Sequence, residues 1–161
     1  VLHSIAKLKD QHPDVRYVIV GNKDNEDYLK AEAAKVGISD ALIVHGYVHN
    51  EDGVAALYDE ALASICYGQA GLTVLQSLGN ATPVIVGVDA ISGGESDAII
   101  NGYNGLRVDG VNQLTQAMLT LISSQSYSYG LSNNALESYW ESHSFDSMVN
   151  KFKEVIGANT H

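Results

Sequence analysis

The sequence is poor in the residues that usually announce a site. It has one cysteine, Cys66, two prolines and one tryptophan in 161 residues. A single cysteine excludes a disulfide framework and a cysteine-based zinc site. Nothing depends on oxidation, which fits a reducing compartment. Lysine and arginine are scarce too: nine of them face 19 acidic residues, a net charge of −10. That balance speaks against a nucleic-acid polymer as partner, because phosphate binding rests on Lys and Arg. It also disfavours docking on anionic lipid by this chain alone. No apolar run approaches the ~18–20 residues that span a bilayer. The first residues, Val1 to Lys9, lack an initial Met, a basic leader and a small-residue cleavage site. They do not read as a signal peptide but as part of an amphipathic helix. There is no internal repeat and no low-complexity segment.

What is present reads as one domain, residues 1–161, with 45% hydrophobic residues. A chain of this size can bury about 70% of the surface it exposes when unfolded. Leu2, Ile5, Ala6 and Leu8 give a helical face, stopped by Gln11-His12-Pro13. Tyr17–Val20 reads as a buried strand ended by Gly21, and Glu26–Val36 as a helix stopped by Gly37. Ala41–Val44 is a second strand. Asn50 is an N-cap for a helix to Ala61. Leu62–Cys66 is a third strand, Leu72–Leu78 a short helix, and Pro83–Val86 a fourth strand. Asp97–Ile100 is one helical turn, and Gly105–Val108 a last strand. Val111, Leu114, Met118, Leu121 and Ile122 share a helical face. Ser123–Gly130, polar and Tyr-rich, reads as a loop, and Leu131–Trp140 as a helix. Phe145, Met148, Val149, Phe152, Val155 and Ile156 form an apolar stripe that reads as core packing. Short apolar strands alternating with helices predict an α/β fold, a Rossmann-like doubly wound parallel sheet with C-terminal helices.

Ligands of such sheets bind at the carboxyl ends of the strands. The loops there are Gly21-Asn22-Lys23, His45 to His49, Tyr67 to Gly71, and Gly87 to Glu95. The third carries the most chemistry. Gly68 and Gly71 flank a strand-to-helix turn, and a helix N-terminus offers unpaired N–H groups and partial positive charge. Glycines let an anion approach that backbone, so a phosphate can be held without Lys or Arg. The competing reading is that the glycines only permit a tight turn; spacing alone leaves both open. The pattern is neither G-x-G-x-x-G nor a Walker loop.

Other groups are weaker. The six histidines (His3, His12, His45, His49, His143 and His161) show no helical ligand spacing, and His45 and His49 span a turn. No metal site is expected. Cys66 reads as a small buried hydrophobe rather than a nucleophile. Ser64 lies within a strand and not on a nucleophile elbow. Asp59 and Glu60 read as a solvated helix end. Glu95 and Asp97 lie in a Gly-rich loop at the ligand edge, where they either touch a ligand or keep the loop solvated.

In order, these segments resemble the second half of retaining glycosyltransferases of the GT-B fold, the large family-four group. His12-Pro13-Asp14-Val15 with Tyr17–Gly21 is similar to the family's "p-x-v-x-l-x-i-v-G" strand. Val44-His45-Gly46-Tyr47-Val48 resembles "v-x-f-x-G-x-v", and Val54–Ala61 "l-x-x-l-y-x-x-a". Gly71-Leu72-Thr73-Val74-Leu75-Gln76-Ser77-Leu78 with Thr82-Pro83-Val84-Ile85 resembles "G-L-x-x-x-E-A-m-a-x-G-x-P-V-I". Gly93–Ile99 and Asn101–Val108 resemble "G-G-x-x-E-x-i" and "d-G-x-N-G-x-x-v". The likeness covers about residues 1–125 of the sequence.

The resemblance implies the donor-binding half of a two-domain enzyme that builds polysaccharide, lipopolysaccharide or glycoconjugate. The donor is a sugar nucleotide; no cofactor and no metal are implied. The diphosphate would meet Gly68, Gln69, Ala70, Gly71, Leu72 and Thr73. Base and ribose would lie near Gly21, Tyr47, Val48 and Gln76. The acceptor, a glycan or lipid-linked glycan, would come through a separate N-terminal domain. The implied location is cytoplasmic, including the inner face of the membrane for a full-length protein. The family's two glutamates would fall at Gly68 and Gln76, and neither carboxylate is there. Gln76 retains hydrogen-bonding capacity toward ribose hydroxyls. The turn Gly68-Gln69-Ala70-Gly71-Leu72-Thr73 is closer to a polysaccharide-building branch that reads "G-x-x-G-L-T". Ala81 stands where the family has glycine, and Asp97 where it has glutamate. No catalytic residue is assigned.

The family's second half also opens with a strand and a loop carrying an Arg and a Lys, which this sequence does not show. In the order 3-2-1-4-5-6 that strand is central. Tyr17–Val20 and Leu62–Cys66 are therefore expected to pair directly or to leave a gap filled by another segment. Two other functions remain: a degenerate, non-catalytic binding or interaction domain, and an epimerase of the same architecture. The second lacks a His/Glu/Asp set placed for proton abstraction. If the chain continues as in the resembled fold, the last helix crosses to the other domain and part of its stripe is exposed.

Overall fold

The computed structural model describes residues 1–21 and 23–157. Asn22 of the first ligand-edge loop and His161 lie outside the described residues. Strands and helices alternate as the periodicities predict. The elements are α1 (Leu2–Lys9), β1 (Tyr17–Val20), α2 (Glu26–Lys35), β2 (Leu42–His45), α3 (Glu51–Asp59) and β3 (Ser64–Cys66). They continue with β4 (Gln69–Ala70), α4 (Thr73–Gly79), β5 (Val84–Gly87), β6 (Ile91–Ser92) and β7 (Gly105–Val108). The tail is helical: α5 (Gly110–Ser123), α6 (Gln125–Ser138) and α7 (Phe145–Val155).

All pairings are parallel. β1 pairs with β2, Tyr17 opposite Leu42. A second sheet has the order β3-β5-β7, with Ser64 opposite Val84 and Val84 opposite Gly105. Among the described strands β1 and β3 do not pair, so the parallel strands form separate sheets, β1-β2 and β3-β5-β7. Of the two expected outcomes, direct pairing is excluded, and no described strand fills the gap.

The core has two layers separated by β5. Ile85 joins Ile5, Leu8, Ile38, Leu114 and Leu121 beneath α1 and α5. Val84 and Val86 point the other way, onto Cys66, Val74, Leu78 and Ala135 beneath α4 and α6. This is the doubly wound arrangement, helices on both faces of a parallel sheet. β5 is buried at every position. β1 and β2 are not buried throughout, contrary to the sequence reading. Tyr17 and Leu42 pack on the first layer, whereas Val18, Val20 and Ile43 are about half exposed on the other face.

Three other expectations change. Ser123–Gly130 is not a loop: Ser124 caps α6 by accepting from the Tyr127 N–H, and the helix runs through the Tyr-rich stretch. Its buried face is small, Ser128, Leu131, Ala135 and Ser138 at spacings of three and four. The helical turn foreseen at Asp97–Ile100 is a 3-10 turn at Glu95–Ala98. α7 buries none of its residues, so its apolar stripe is surface and not core packing.

Candidate nucleotide-binding site

The Tyr67–Gly71 segment is not the simple tight turn that the glycine spacing suggests. After β3 the chain forms β4, which pairs with β6, Gln69 opposite Ile91. The Ile91 N–H also donates to the Gly68 carbonyl at 3.0 Å. This two-residue ribbon carries Gly68 and Gly71 outward before α4 begins. The Val74 N–H then donates to the Gly71 carbonyl at 2.9 Å, closing the first turn.

Neither Gly68 nor Gly71 is required by the chain's own geometry. Neither has a positive φ, and a Cβ on either would meet nothing within 4 Å. Gly87 is the contrast: a Cβ there would lie 2.3 Å from the Tyr67 carbonyl oxygen, so packing of β5 on β3 demands glycine. The space above the Gly68 and Gly71 backbone is open. Gly68, Gln69, Leu72 and Thr73 are exposed there, whereas Ala70, expected among the diphosphate contacts, is fully buried.

Gln76 lies one turn into α4, exposed, and its side-chain Oε1 accepts a hydrogen bond from the Tyr58 hydroxyl of α3 at 3.4 Å. Burial pushes the Tyr58 phenol above its ordinary pKa, so it keeps its proton at neutral pH. Gly68 to Thr73 and Gln76 therefore form one β4–α4 unit. Gly21, Tyr47 and Val48 belong to loops of the other sheet. Among the described residues no hydrogen bond or ring contact joins them to β4–α4. Tyr47 is exposed, its ring 6.0 Å from that of His49 and inclined by 28°.

The fourth ligand-edge loop is internally committed. The Glu95 carboxylate accepts from the Gly93 N–H at 2.9 Å and the Ser92 hydroxyl at 3.2 Å. Its own N–H, the Gly93 N–H and the Ser92 hydroxyl hold its pKa below the usual carboxylate range. Glu95 thus caps its own loop through one carboxylate oxygen. Asp97 is exposed.

Two residues that sequence reasoning missed anchor this loop. The Arg107 guanidinium donates to the carbonyls of Ser96 and Ile99. Asn104 is fully buried; its Nδ2 donates to the Ala98 carbonyl and to Ser138 Oγ, and its Oδ1 accepts from the Ile100 N–H. The available signal was a polar cluster, Asn101 to Asn104, placed directly before an apolar strand.

Cys66 is buried and its thiol is pushed up by desolvation, the opposite of an activated nucleophile. Among the described residues no group of three or more His, Cys, Asp or Glu side chains is placed to hold a metal ion. No described helix is long and apolar enough to cross a membrane. Two surface hollows lie away from the β4–α4 turn, one beside Arg107 and Tyr127, the other beside Trp140 and Lys151.

Residues 1–138 match the family model of the group 1 glycosyl transferases. No curated protein sequence matches the chain. Three solved structures are similar in fold. Sucrose-phosphate synthase from Thermosynechococcus elongatus superposes with a TM-score of 0.76 at 18% identity, over 98% of this chain and 43% of that one. TarM from S. aureus in complex with UDP gives 0.81 at 17%, over 99% and 32%. Anabaena HepE in complex with UDP and glucose gives 0.79 at 15%, over 98% and 43%. This chain therefore spans less than half the length of these similar proteins. At such identities the likenesses speak for the fold, which is the Rossmann-like domain of GT-B glycosyltransferases. The ordered motifs, the doubly wound sheet and the match over residues 1–138 lead to one conclusion: the chain belongs to the group 1 glycosyltransferase family.

Proposed function

We propose that this chain is the sugar-nucleotide donor-binding domain of a retaining glycosyltransferase that builds polysaccharide, lipopolysaccharide or another glycoconjugate. The observation that carries this reading is the open backbone of Gly68 and Gly71 at the mouth of α4. The N–H groups there would hold the diphosphate and stabilise it as it departs, with no metal in the step. Base and ribose would lie toward Gly21, Tyr47, Val48 and Gln76. UDP in the TarM and HepE structures supports a nucleotide diphosphate as the ligand class.

A glycan or lipid-linked acceptor would be brought by a separate N-terminal domain, on the cytoplasmic side and at the inner membrane face for a lipid-linked one. A further strand from sequence outside these residues would fill the gap between β1 and β3. This chain alone would then bind donor without transferring sugar. One observation favours a second reading, a binding module without catalysis: neither position 68 nor 76 carries a carboxylate.

Calorimetric titration with UDP-, GDP- and dTDP-sugars tests the reading. One of them should bind saturably. Gly71→Val should abolish that binding, because a branched side chain would fill the space above the turn. Gln76→Ala should weaken it. Absence of binding by all three donors would contradict the proposal. Binding by this domain, with no transfer once the whole protein is supplied with acceptor, would favour the binding-module reading.

A further inference from the structure

The hydrogen bond between Tyr58 and Gln76 has a direction, and the direction fixes what Gln76 offers. The phenol donates its proton to Oε1. One of the amide oxygen's two lone pairs is thereby taken and that end is turned to Tyr58, so Nε2, with its two N–H groups, is the end directed away from it. A glutamate at this position would present only lone pairs; the amide held by Tyr58 presents donors. Tyr58 is itself fixed. Its backbone carbonyl accepts from the Thr82 hydroxyl at 3.5 Å. Ser77 of α4 lies 2.8 Å from both Ser64 Oγ and the Thr82 carbonyl, which ties β3, α4 and the start of β5 together around it. On Gln76 itself the Asn80 side chain bonds only the backbone carbonyl, at 2.8 Å, so the side-chain amide is held through Tyr58.

We propose that Tyr58 is a positioning residue that sets the polarity of Gln76, so that this site recognises an oxygen acceptor, a ribose hydroxyl, through an N–H donor. The inference rests on the nucleotide reading of the β4–α4 turn and adds the polarity of the contact and the residue that controls it. Tyr58 touches no ligand. It acts by holding the amide in one of its two orientations. Without it the amide turns freely, and its mean donor strength toward the ligand falls.

The test has two independent arms on the 161-residue chain. The first needs no ligand. In amide NMR spectra, Tyr58→Phe should shift the Gln76 side-chain NH2 pair, identified by its loss in Gln76→Ala, and leave the backbone pattern of α5 and α6 in place. An unmoved Gln76 pair overturns the proposal whatever the chain binds. The second arm compares UDP with 2′-deoxy-UDP and 3′-deoxy-UDP by calorimetry. The wild-type chain should lose affinity for one deoxy form. Tyr58→Phe should weaken UDP about threefold to tenfold, the loss of one net hydrogen bond. It should also shrink the ribose discrimination, and adding Gln76→Ala should cost little more. Full ribose discrimination in Tyr58→Phe, or additive losses in the double variant, would overturn the proposal. Should the wild type bind no nucleotide, the donor-site reading fails, and the first arm alone still decides the Tyr58–Gln76 contact.

Discussion

The two halves of the split sheet are built from similar apolar runs but end in different environments. β5 is covered by helices on both faces, whereas β1 and β2 are covered on one. Tyr17-Val18-Ile19-Val20 and Val84-Ile85-Val86 look alike as sequence. What separates them is the neighbour. α4 and α6 lie over β5 and seal it, while Val18, Val20 and Ile43 stay 40–47% exposed. A β-branched run marks a strand that can be buried on both sides. It does not say that both covers are present in the same chain.

The largest expected effect comes from testing that contrast directly. Ile85, 1% exposed between the layers, should cost about 2–5 kcal/mol when replaced by alanine. Ile43, 41% exposed on the open face, should cost under about 1 kcal/mol for the same change. Urea unfolding of both variants checks this. Equal losses would mean that the open face is covered in solution.

The second effect concerns the loop anchored on the sealed half. Asn104→Ala should destabilise by about 2–3 kcal/mol, since it leaves the Ile100 N–H and the Ala98 carbonyl without their buried partner. The loss should appear in the same unfolding assay and should be accompanied by faster amide exchange at Ile100. A smaller change in the opposite direction is expected at Ala81. It has φ +53°, the left-handed region, at the position where the family carries glycine. Ala81→Gly should gain about 0.5–1 kcal/mol, the relief of strain exceeding the entropy lost by glycine. What reads as a modest substitution is a backbone position with a conformational requirement.

The smallest effect is a pH dependence. The Glu95 pKa is lower in the folded chain than in the unfolded one. Its contribution is therefore fully present above the unfolded carboxylate value and fades as pH falls through the folded value. Because Glu95 is on the surface, the effect should be a slight flattening of the melting temperature between about pH 5 and pH 3 in Glu95→Gln, relative to the parent chain. An unchanged profile would mean that the loop cap contributes nothing.

The fold was largely legible because each strand is a short apolar run bounded by glycine, and each helix carries a clear stripe or cap. β1 and β7 lie where the sequence places them, and Asn50 caps α3 by accepting from the Gly53 N–H. The first half of α6 was missed, although its second half from Leu131 was read as helix, because its buried face is made of serine and alanine as much as leucine, which leaves no apolar stripe. The β4–β6 ribbon was missed because two-residue strands carry no periodicity and their pairing is non-local. In the site, glycine spacing indicated the turn, but only the backbone angles and the space around each position show that Gly87 is required by packing and that Gly68 and Gly71 are not. Tyr58 and Asn104 act through contacts 18 and 34 residues away in the chain, which no local pattern reveals.

The central claim is that the open β4–α4 turn holds a nucleotide diphosphate. Amide NMR titration of the isotope-labelled chain with UDP tests it most directly, read residue by residue. The account predicts saturable shifts at the Gly68, Gln69, Gly71, Leu72 and Thr73 N–H groups, larger than those elsewhere and lost in Gly71→Val. Saturable binding that leaves these amides unmoved and shifts residues around Arg107 and Tyr127, or around Trp140, would contradict it.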